Sequence, residues 1–320
     1  MHFEDLNPTD KARIEALAAV RAESIDTVLT RFGDLAQVRR VPRKFSEFVR
    51  SPIGQPFERA GVRDGRPYVV LANGRIFFGH FPKGPQKRAF EYLHDRYSPN
   101  LTEATCCVAM DVCRRYLADA HWYRSDLLPP SGGTVAEIGA YLGHKTIKFV
   151  DRVVGPSGRV LAVEVMPDNS EVLRLNISGN ALEEQVTIVE AGVWNRTGEE
   201  IVLGTGYQQN SLVSTDTHDF QAITRVKTDT LDNILAGWDV PAIDFLDIRV
   251  NGAEIEVLEG LDRELARVRV IYIAVPYSRG GVSTRERCLE ILRDKGCSIL
   301  PHDDPTEIYA ATAHHALAAT

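Results

Sequence analysis

Residues 137–146 read EIGAYLGHKT, and the reading of this run decides the fold. An apolar run, residues 134–138, stops at Gly139, and a helical stretch begins at about Gly143. Glycines let the backbone turn sharply and bring bare peptide groups close to a ligand. The helix that follows offers free N–H groups and the positive end of its dipole. Strand, glycine turn and helix together form the elements of a nucleotide-cofactor site in an open α/β sheet. The spacing is Glu-x-Gly-x-x-x-Gly, not the Gly-x-Gly-x-x-Gly of dinucleotide sites. The third glycine gives the close packing that a pyrophosphate site needs and a cofactor lacking phosphates does not.

The surroundings keep the same rhythm. Apolar runs at 134–138, 159–165, 186–191, 243–248 and 269–275 alternate with helical stretches at 143–154, 167–180, 252–266 and 283–296. Such alternation predicts an α/β domain with a mostly parallel sheet. The end of the chain differs: CSIL (297–300) and IYAATA (308–313), with a short loop between, predict a strand pair that closes the sheet antiparallel. The second strand ends in Glu164, where a carboxylate can accept hydrogen bonds from both hydroxyls of a ribose. Pro167 suits the first turn of the next helix.

Upstream, DLLPPSGG (126–133) has the composition of a linker. This divides the chain into an α+β extension (1–125), the linker (126–133) and a cofactor-binding domain (134–320). In the extension, Ile14, Leu17, Arg21, Ile25, Val28, Leu29 and Phe32 recur at helical spacing over 9–32, a packing face or a homodimer contact. Asn73-Gly74 between two apolar runs predicts a β-hairpin near 68–81 with two positive φ angles in its turn. Helices are expected at 85–97 and 101–123.

The bulk properties narrow the function. Over 320 residues, hydrophobic residues make up 44% and charged residues 25%, as in ordinary globular proteins. The net charge of -7 argues against nucleic acid as a partner, although RRVPRK (39–44) is a local basic run. The five cysteines form no CxxC pair, no histidines stand at zinc-ligand spacing, and no metal site is expected. Neither a signal peptide nor an apolar stretch of membrane-spanning length is evident, so the expectation is a cytoplasmic protein with no membrane partner.

EIGAYLGHKT, VEVMPDNSEVLRLNISGN, VTIVEAGVWNRTGE, TDTLDNIL and IDFLDIRVNGAEIEVLEGL resemble, in order, the motifs of FkbM-type S-adenosylmethionine-dependent methyltransferases, over roughly residues 130–313. The resemblance implies a class I methyltransferase fold, Rossmann-like, with seven strands of which the last is antiparallel. It implies that S-adenosylmethionine is the cofactor. Carried over by position, Glu137, Gly139, Ala140 and Gly143 would wrap the methionine half. Tyr141 stands in that turn where asparagine is usual. Glu164 would hold the ribose, with Val165 and Met166 beside the adenine and Glu190 and Ala191 flanking the base. Asn210-Ser211-Leu212 resembles a polar stretch that lies near the cleft in that family. Tyr207–Asn210 either lines an acceptor pocket or is an ordinary loop.

The run IDFLDIRVNGAE (243–254) is the fourth strand of that reading, and it ends in charge. Buried charge is costly without a partner or a task. The family commonly reads Lys-Ile-Asp-x-Glu-Gly-Ala-Glu here, so Asp247, Arg249 and Asn251 each depart from the pattern. Arginine cannot act as a general base. Two readings of Arg249 stand: it pairs with Asp247 or Glu254, or its guanidinium grips an anionic substrate group. An alcohol acceptor needs a base to take its proton, and Asp247 and Glu254 are the candidates. His144, just after the glycines, either touches substrate or serves the structure; His80, His121 and His218 stand outside any motif.

The expected activity is therefore methyl transfer from S-adenosylmethionine to the hydroxyl of a small molecule such as a sugar, polyketide or other secondary metabolite. A cofactor-binding protein of the same fold without turnover is the alternative. A nicotinamide-dependent oxidoreductase is disfavoured by the glycine spacing and the terminal strand pair.

Overall fold

The computed structural model describes residues 56–82, 100–117, 123–204, 212, 213, 215 and 222–313. The helix expected at 9–32, the basic run at 39–44, the helix at 85–97, Tyr207–Asn210, Ser211, His121 and His218 lie outside the described residues. The chain divides into two compact units, Met1–Trp122 and Tyr123–Thr320.

In the first unit, strands β1 (Phe57–Arg63), β2 (Arg66–Leu71) and β3 (Ile76–Phe78) form an antiparallel sheet. The two-residue turn with both φ angles positive is Asp64-Gly65, at 50° and 71°, which joins β1 to β2. Its Asp-Gly sequence suits a type I′ turn. Asn73-Gly74 does lie between β2 and β3, but only Gly74 has positive φ. There the side chain of Asn73 shapes the loop, accepting from the Arg75 N–H at 3.1 Å and donating to the Tyr116 hydroxyl at 3.2 Å. Helix α1 (Glu103–Val112) starts where the Thr105 hydroxyl accepts from the Thr102 N–H, and it widens by one turn through Leu117.

The second unit begins before the first strand of its main sheet. Residues 126–133, expected as a linker, are bonded into it. The Leu127 and Leu128 carbonyls accept from Arg269, and the Gly132 N–H donates to the Val154 carbonyl at 2.7 Å. Then come β4 (Thr134–Ile138), α2 (His144–Phe149, widening through Val154), β5 (Arg159–Glu164), α3 (Pro167–Gly179) and β6 (Val186–Glu190). A small sheet of β7 (Gly192–Trp194), β8 (Glu200–Gly204) and β9 (Ala222–Thr230) follows, in the order β7-β9-β8. After it come α4 (Leu231–Ala236), β10 (Ile243–Ile248), α5 (Glu254–Glu259) and β11 (Val268–Ala274). The chain continues through a short hairpin, β12 (Ser278–Arg279) and β13 (Val282–Ser283), into α6 (Thr284–Asp294). It finishes with β14 (Ser298–Leu300) and β15 (Glu307–Ala311).

The main sheet has seven strands in the order β14-β15-β11-β10-β4-β5-β6. This is the class I methyltransferase arrangement. Strands β11, β10, β4, β5 and β6 are parallel neighbours, and β15 runs antiparallel between β11 and β14. The last strand is thus the antiparallel one, as expected, but it is inserted beside β11 and leaves β14 at the edge.

The two faces of this sheet differ in chemistry. Ala136, Ile138, Leu161, Val163, Leu246, Ile248, Ile271 and Ile273 face α4, α5 and α6 in one apolar core. Successive residues of a strand point to opposite faces, so Glu137, Asp247 and Tyr272, adjacent in register across β4, β10 and β11, share the other. The helix expected over 252–266 stops at Glu259. Asp232 then accepts from the N–H groups of Asp262, Arg263 and Glu264, which turns the chain into β11. No helix of the described residues is long and apolar enough to cross a membrane.

Leu246 lies at the centre of the apolar core, fully buried on the middle strand. Leu246→Ala should cost about 2–5 kcal/mol, read as a lower midpoint in urea denaturation; an unchanged midpoint would place that residue outside the core.

Candidate active site

The carboxyl ends of β4, β5 and β6 lie side by side, and two local constraints shape them. The first is the glycine turn. Gly139 has φ of 93°, and a Cβ built on it would lie 2.2 Å from the Arg249 carbonyl oxygen. Any other residue would have to push the end of β10 away. The Gly139 and Ala140 N–H groups both donate to the Val163 carbonyl at 2.9 Å, which locks the turn onto β5. Gly143, with φ of 81°, packs against Leu173 of α3. Tyr141 also has positive φ, at 55°. This gives a physical sense to the usual asparagine there, because asparagine enters the left-handed region more readily than tyrosine.

The second constraint is Glu164. Its carboxylate accepts from the Tyr141 N–H at 2.8 Å with one oxygen. The other oxygen accepts from the Met166 N–H at 3.0 Å and the Asn169 amide at 3.1 Å. Burial pushes this carboxyl above its ordinary pKa, and those donors pull it back only in part. Val165 and Met166 are half-buried beside it, and the Ala191 N–H donates to the Glu164 carbonyl at 3.2 Å. Glu190, in register with Glu164, is exposed and pairs with Arg174 at 3.2 Å.

Charge gathers where β4 and β10 end on the polar face. Asp247 is fully buried and accepts from three side chains. Its Oδ2 takes the Tyr123 hydroxyl and the Lys145 ammonium, the latter at 2.8 Å; its Oδ1 takes Arg249 Nε at 3.2 Å. Lys145 also bonds the Tyr123 hydroxyl. Glu137, the register neighbour of Asp247, is buried and accepts from the Thr146 hydroxyl at 2.6 Å. Around them pack Phe149, Phe245 and Tyr272, all with ring centres within 6 Å of Tyr123.

The proton affinities follow from this packing. Burial would raise Asp247, but the charges of Lys145 and Arg249 and the bonds from Lys145 and Tyr123 outweigh it and hold the carboxyl below its ordinary value. Burial, then the Arg249 charge, bring Lys145 down to about 8 against the pull of Asp247 and Glu137. Burial pushes Glu137 up to about 7 although Lys145 opposes it. Asp247 is therefore a carboxylate held ionised by two cations and a poor proton acceptor, which counts against the base role expected for it.

Lys145 and Tyr123 were not singled out from the sequence. Lys145 stands inside EIGAYLGHKT next to His144, and only the rotation of α2 decides which of the two faces the carboxylates. His144 is 1% exposed, with its ring beside that of Tyr141. Tyr123 lies 124 residues from Asp247, and no local pattern links them.

The remaining residues of the fourth-strand run serve the backbone. Asn251 has φ of 51° and Gly252 of 104°; the Asn251 side chain accepts from the Tyr277 hydroxyl at 2.7 Å. Asparagine is among the few residues that take such φ with little strain. Glu254 is fully buried, and its Oε1 accepts from the Gly252 N–H at 2.7 Å. Its Oε2 has no hydrogen-bond partner among the described residues, and burial pushes the carboxyl up to about 7. Glu254 thus closes the turn after β10 and forms no bond with the Asp247 cluster.

The family model for the methyltransferase FkbM domain matches residues 137–296, half of the chain. The chain belongs to the FkbM methyltransferase family. It is an S-adenosylmethionine-dependent methyltransferase by that membership. No curated protein matches it. Among solved structures, it resembles methyltransferase FkbM from Methylobacillus flagellatus at 18% identity, covering 70% of this chain and 58% of that one, with a TM-score of 0.43. The precorrin-6y C5,15-methyltransferase of Geobacter metallireducens shares 17% identity over 59% of this chain and 85% of its own, with a TM-score of 0.36. TrmK of M. capricolum, in complex with S-adenosylhomocysteine, shares 12% identity over 60% and 70%, with a TM-score of 0.34.

The position of Glu254 in this FkbM-family chain predicts a pH effect on stability. Its folded pKa is about 7 against an ordinary 4.5, so the folded state holds the extra proton between those values. The stability it contributes is complete below pH 4.5 and is lost as pH rises through about 7. Glu254→Gln keeps the shape and cannot ionise. Urea denaturation at about pH 5 and about pH 8 should show the wild type losing stability relative to Glu254→Gln as pH rises; a difference independent of pH would mean that Glu254 ionises freely in the fold.

Proposed function

We propose that this methyltransferase transfers the methyl group to a hydroxyl of a small molecule, a sugar, polyketide or related secondary metabolite. The observation that carries the cofactor half of this reading is the bond from the Tyr141 N–H to Glu164. It ties the glycine turn to a buried carboxylate at the end of the next strand. That pair matches the two halves of S-adenosylmethionine: bare peptide groups for the amino-acid end, and a carboxylate acceptor for the ribose hydroxyls. The spacing of the turn is not the Gly-x-Gly-x-x-Gly of pyrophosphate-binding sites. In this reading Glu137, Gly139, Ala140, Tyr141 and Gly143 surround the methionine half. Glu164, Val165, Met166, Glu190 and Ala191 surround the nucleoside. Where Glu164 now accepts from Tyr141 and Met166, ribose hydroxyls would share the same two oxygens.

S-adenosylmethionine supplies an activated methyl group on a positively charged sulfur. The protein's task is alignment, water exclusion and removal of the acceptor's proton. The acceptor lies beyond the carboxyl end of β10, because ligands of such sheets bind past the strand ends. Lys145, at the start of the helix after the glycine turn, is placed to take the proton. Burial makes its neutral form accessible near pH 8, while Asp247 and Tyr123 hold its ammonium in position. Asp247 and Tyr123 are then positioning residues, and Glu254 and His144 stand apart from the chemistry.

Calorimetric titration tests the core of this reading. S-adenosylhomocysteine should bind and NAD should not, and Glu164→Ala should weaken the former about tenfold or more. Binding of NAD with none of S-adenosylhomocysteine would overturn it.

A further inference from the structure

Arg249 occupies a position where the family commonly carries an acid, and its geometry is unusual for a residue that serves only to neutralise a neighbour. It meets Asp247 through Nε alone, at 3.2 Å. Its guanidinium lies over the Tyr272 ring at 4.5 Å and the Tyr123 ring at 5.4 Å. The Tyr123 hydroxyl beside it further stabilises its charge; among the described residues Asp247 is its one ion-pair partner, and the side chain is 31% exposed. An arginine that neutralises a carboxylate does so best with a parallel pair of N–H bonds. Here Asp247 holds the base of the group, two rings hold its plane, and the outer edge of the fork is left open.

The charge balance points the same way. Lys145 and Arg249 bring two positive charges to the cluster, while Asp247 and Glu137 supply the negative ones. Burial raises Glu137 toward its neutral form, so at and below neutrality, where Lys145 stays protonated, the cluster keeps a positive excess. Asp247 meets both cations, Lys145 at one oxygen and Arg249 at the other. An anion with two coplanar oxygens on the Arg249 edge would offset that excess and complete the fork.

We propose that the outer edge of the Arg249 guanidinium is the receptor for a carboxylate of a bound molecule, at the carboxyl end of β10. The proposal rests on the reading of this region as the methyl-transfer cleft, and it adds a substrate-recognition role that the fold does not require. Two molecules bring such a carboxylate to this place. One is an acidic acceptor. The other is the cofactor itself, whose amino-acid end belongs beside the glycine turn; the Arg249 backbone oxygen lies directly against Gly139. The shared chemistry is a planar carboxylate on a rigid guanidinium fork.

Isothermal titration of the full chain separates the sources, with benzoate, S-adenosylhomocysteine and methylthioadenosine as probes. Methylthioadenosine keeps the nucleoside but lacks the amino-acid end, so it also reports whether a variant is folded. If the carboxylate belongs to the acceptor, Arg249→Gln weakens benzoate binding to the S-adenosylhomocysteine-saturated protein about tenfold or more. S-adenosylhomocysteine binding itself then stays unchanged. If it belongs to the cofactor, the same variant weakens S-adenosylhomocysteine about tenfold or more and leaves methylthioadenosine unchanged. Arg249→Lys, which keeps the charge and loses the fork, falls between wild type and Arg249→Gln in either case, and it replaces Arg249→Gln if that variant does not fold. Equal binding of benzoate and S-adenosylhomocysteine by wild type and both variants, including no benzoate binding by any, overturns the proposal. Failure of wild type to bind S-adenosylhomocysteine would overturn the methyl-transfer reading instead, and benzoate titrated alone would still read Arg249.

Discussion

A carboxylate with no solvent exposure sits at the centre of the parallel sheet, and the arrangement of the polar face depends on it. An unpaired ion in that position would cost several kcal/mol. Asp247 avoids this with three donors from three parts of the chain: Tyr123 before the first strand of the sheet, Lys145 on the helix after the glycine turn, and Arg249 just past its own strand. Each donor fixes the element that carries it. Tyr123 ties the segment ahead of β4 to the end of β10. Lys145 sets the rotation of α2, and that rotation turns His144 inward. Arg249 is held with its guanidinium over two tyrosine rings.

Beside this cluster, the glycine turn and Glu164 form a second constraint that meets the first at Gly139. The turn passes so close to the Arg249 carbonyl that no side chain fits. A ligand seated on the turn is therefore placed next to the end of β10 by backbone geometry. In the proposed function, backbone N–H groups and Glu164 serve cofactor binding on one side, and Lys145, positioned by Asp247, serves proton removal on the other.

Much of the fold was legible in local pattern. The runs at 134–138 and 243–248 are strands β4 and β10 with the same limits, because a central parallel strand is apolar over its whole length and ends where polar residues begin. The hairpin turn was harder. Asn73-Gly74 carries the strong turn signal, yet Asp64-Gly65 takes both positive φ angles, since the Asn73 side chain is occupied by Arg75 and Tyr116. The helix over 252–266 was over-extended because its apolar spacing continues past Glu259, where Asp232 captures the backbone instead.

By itself the sequence determined the alternation of strands and helices, the glycine turn, the acid at the next strand end and the family. All of these rest on neighbours within a few residues or on spacing along one chain. Tertiary structure alone decided which charged groups meet. Tyr123 and Asp247 are 124 residues apart, and Lys145 and Asp247 are 102 apart. Neither pairing leaves a periodic trace, because a hydrogen bond between side chains constrains two positions and nothing between them. The same holds for Arg249. The sequence places it two residues from Asp247 on the same face, but only the packing of Tyr123, Lys145 and Tyr272 determines that it bonds through Nε and keeps its outer edge open.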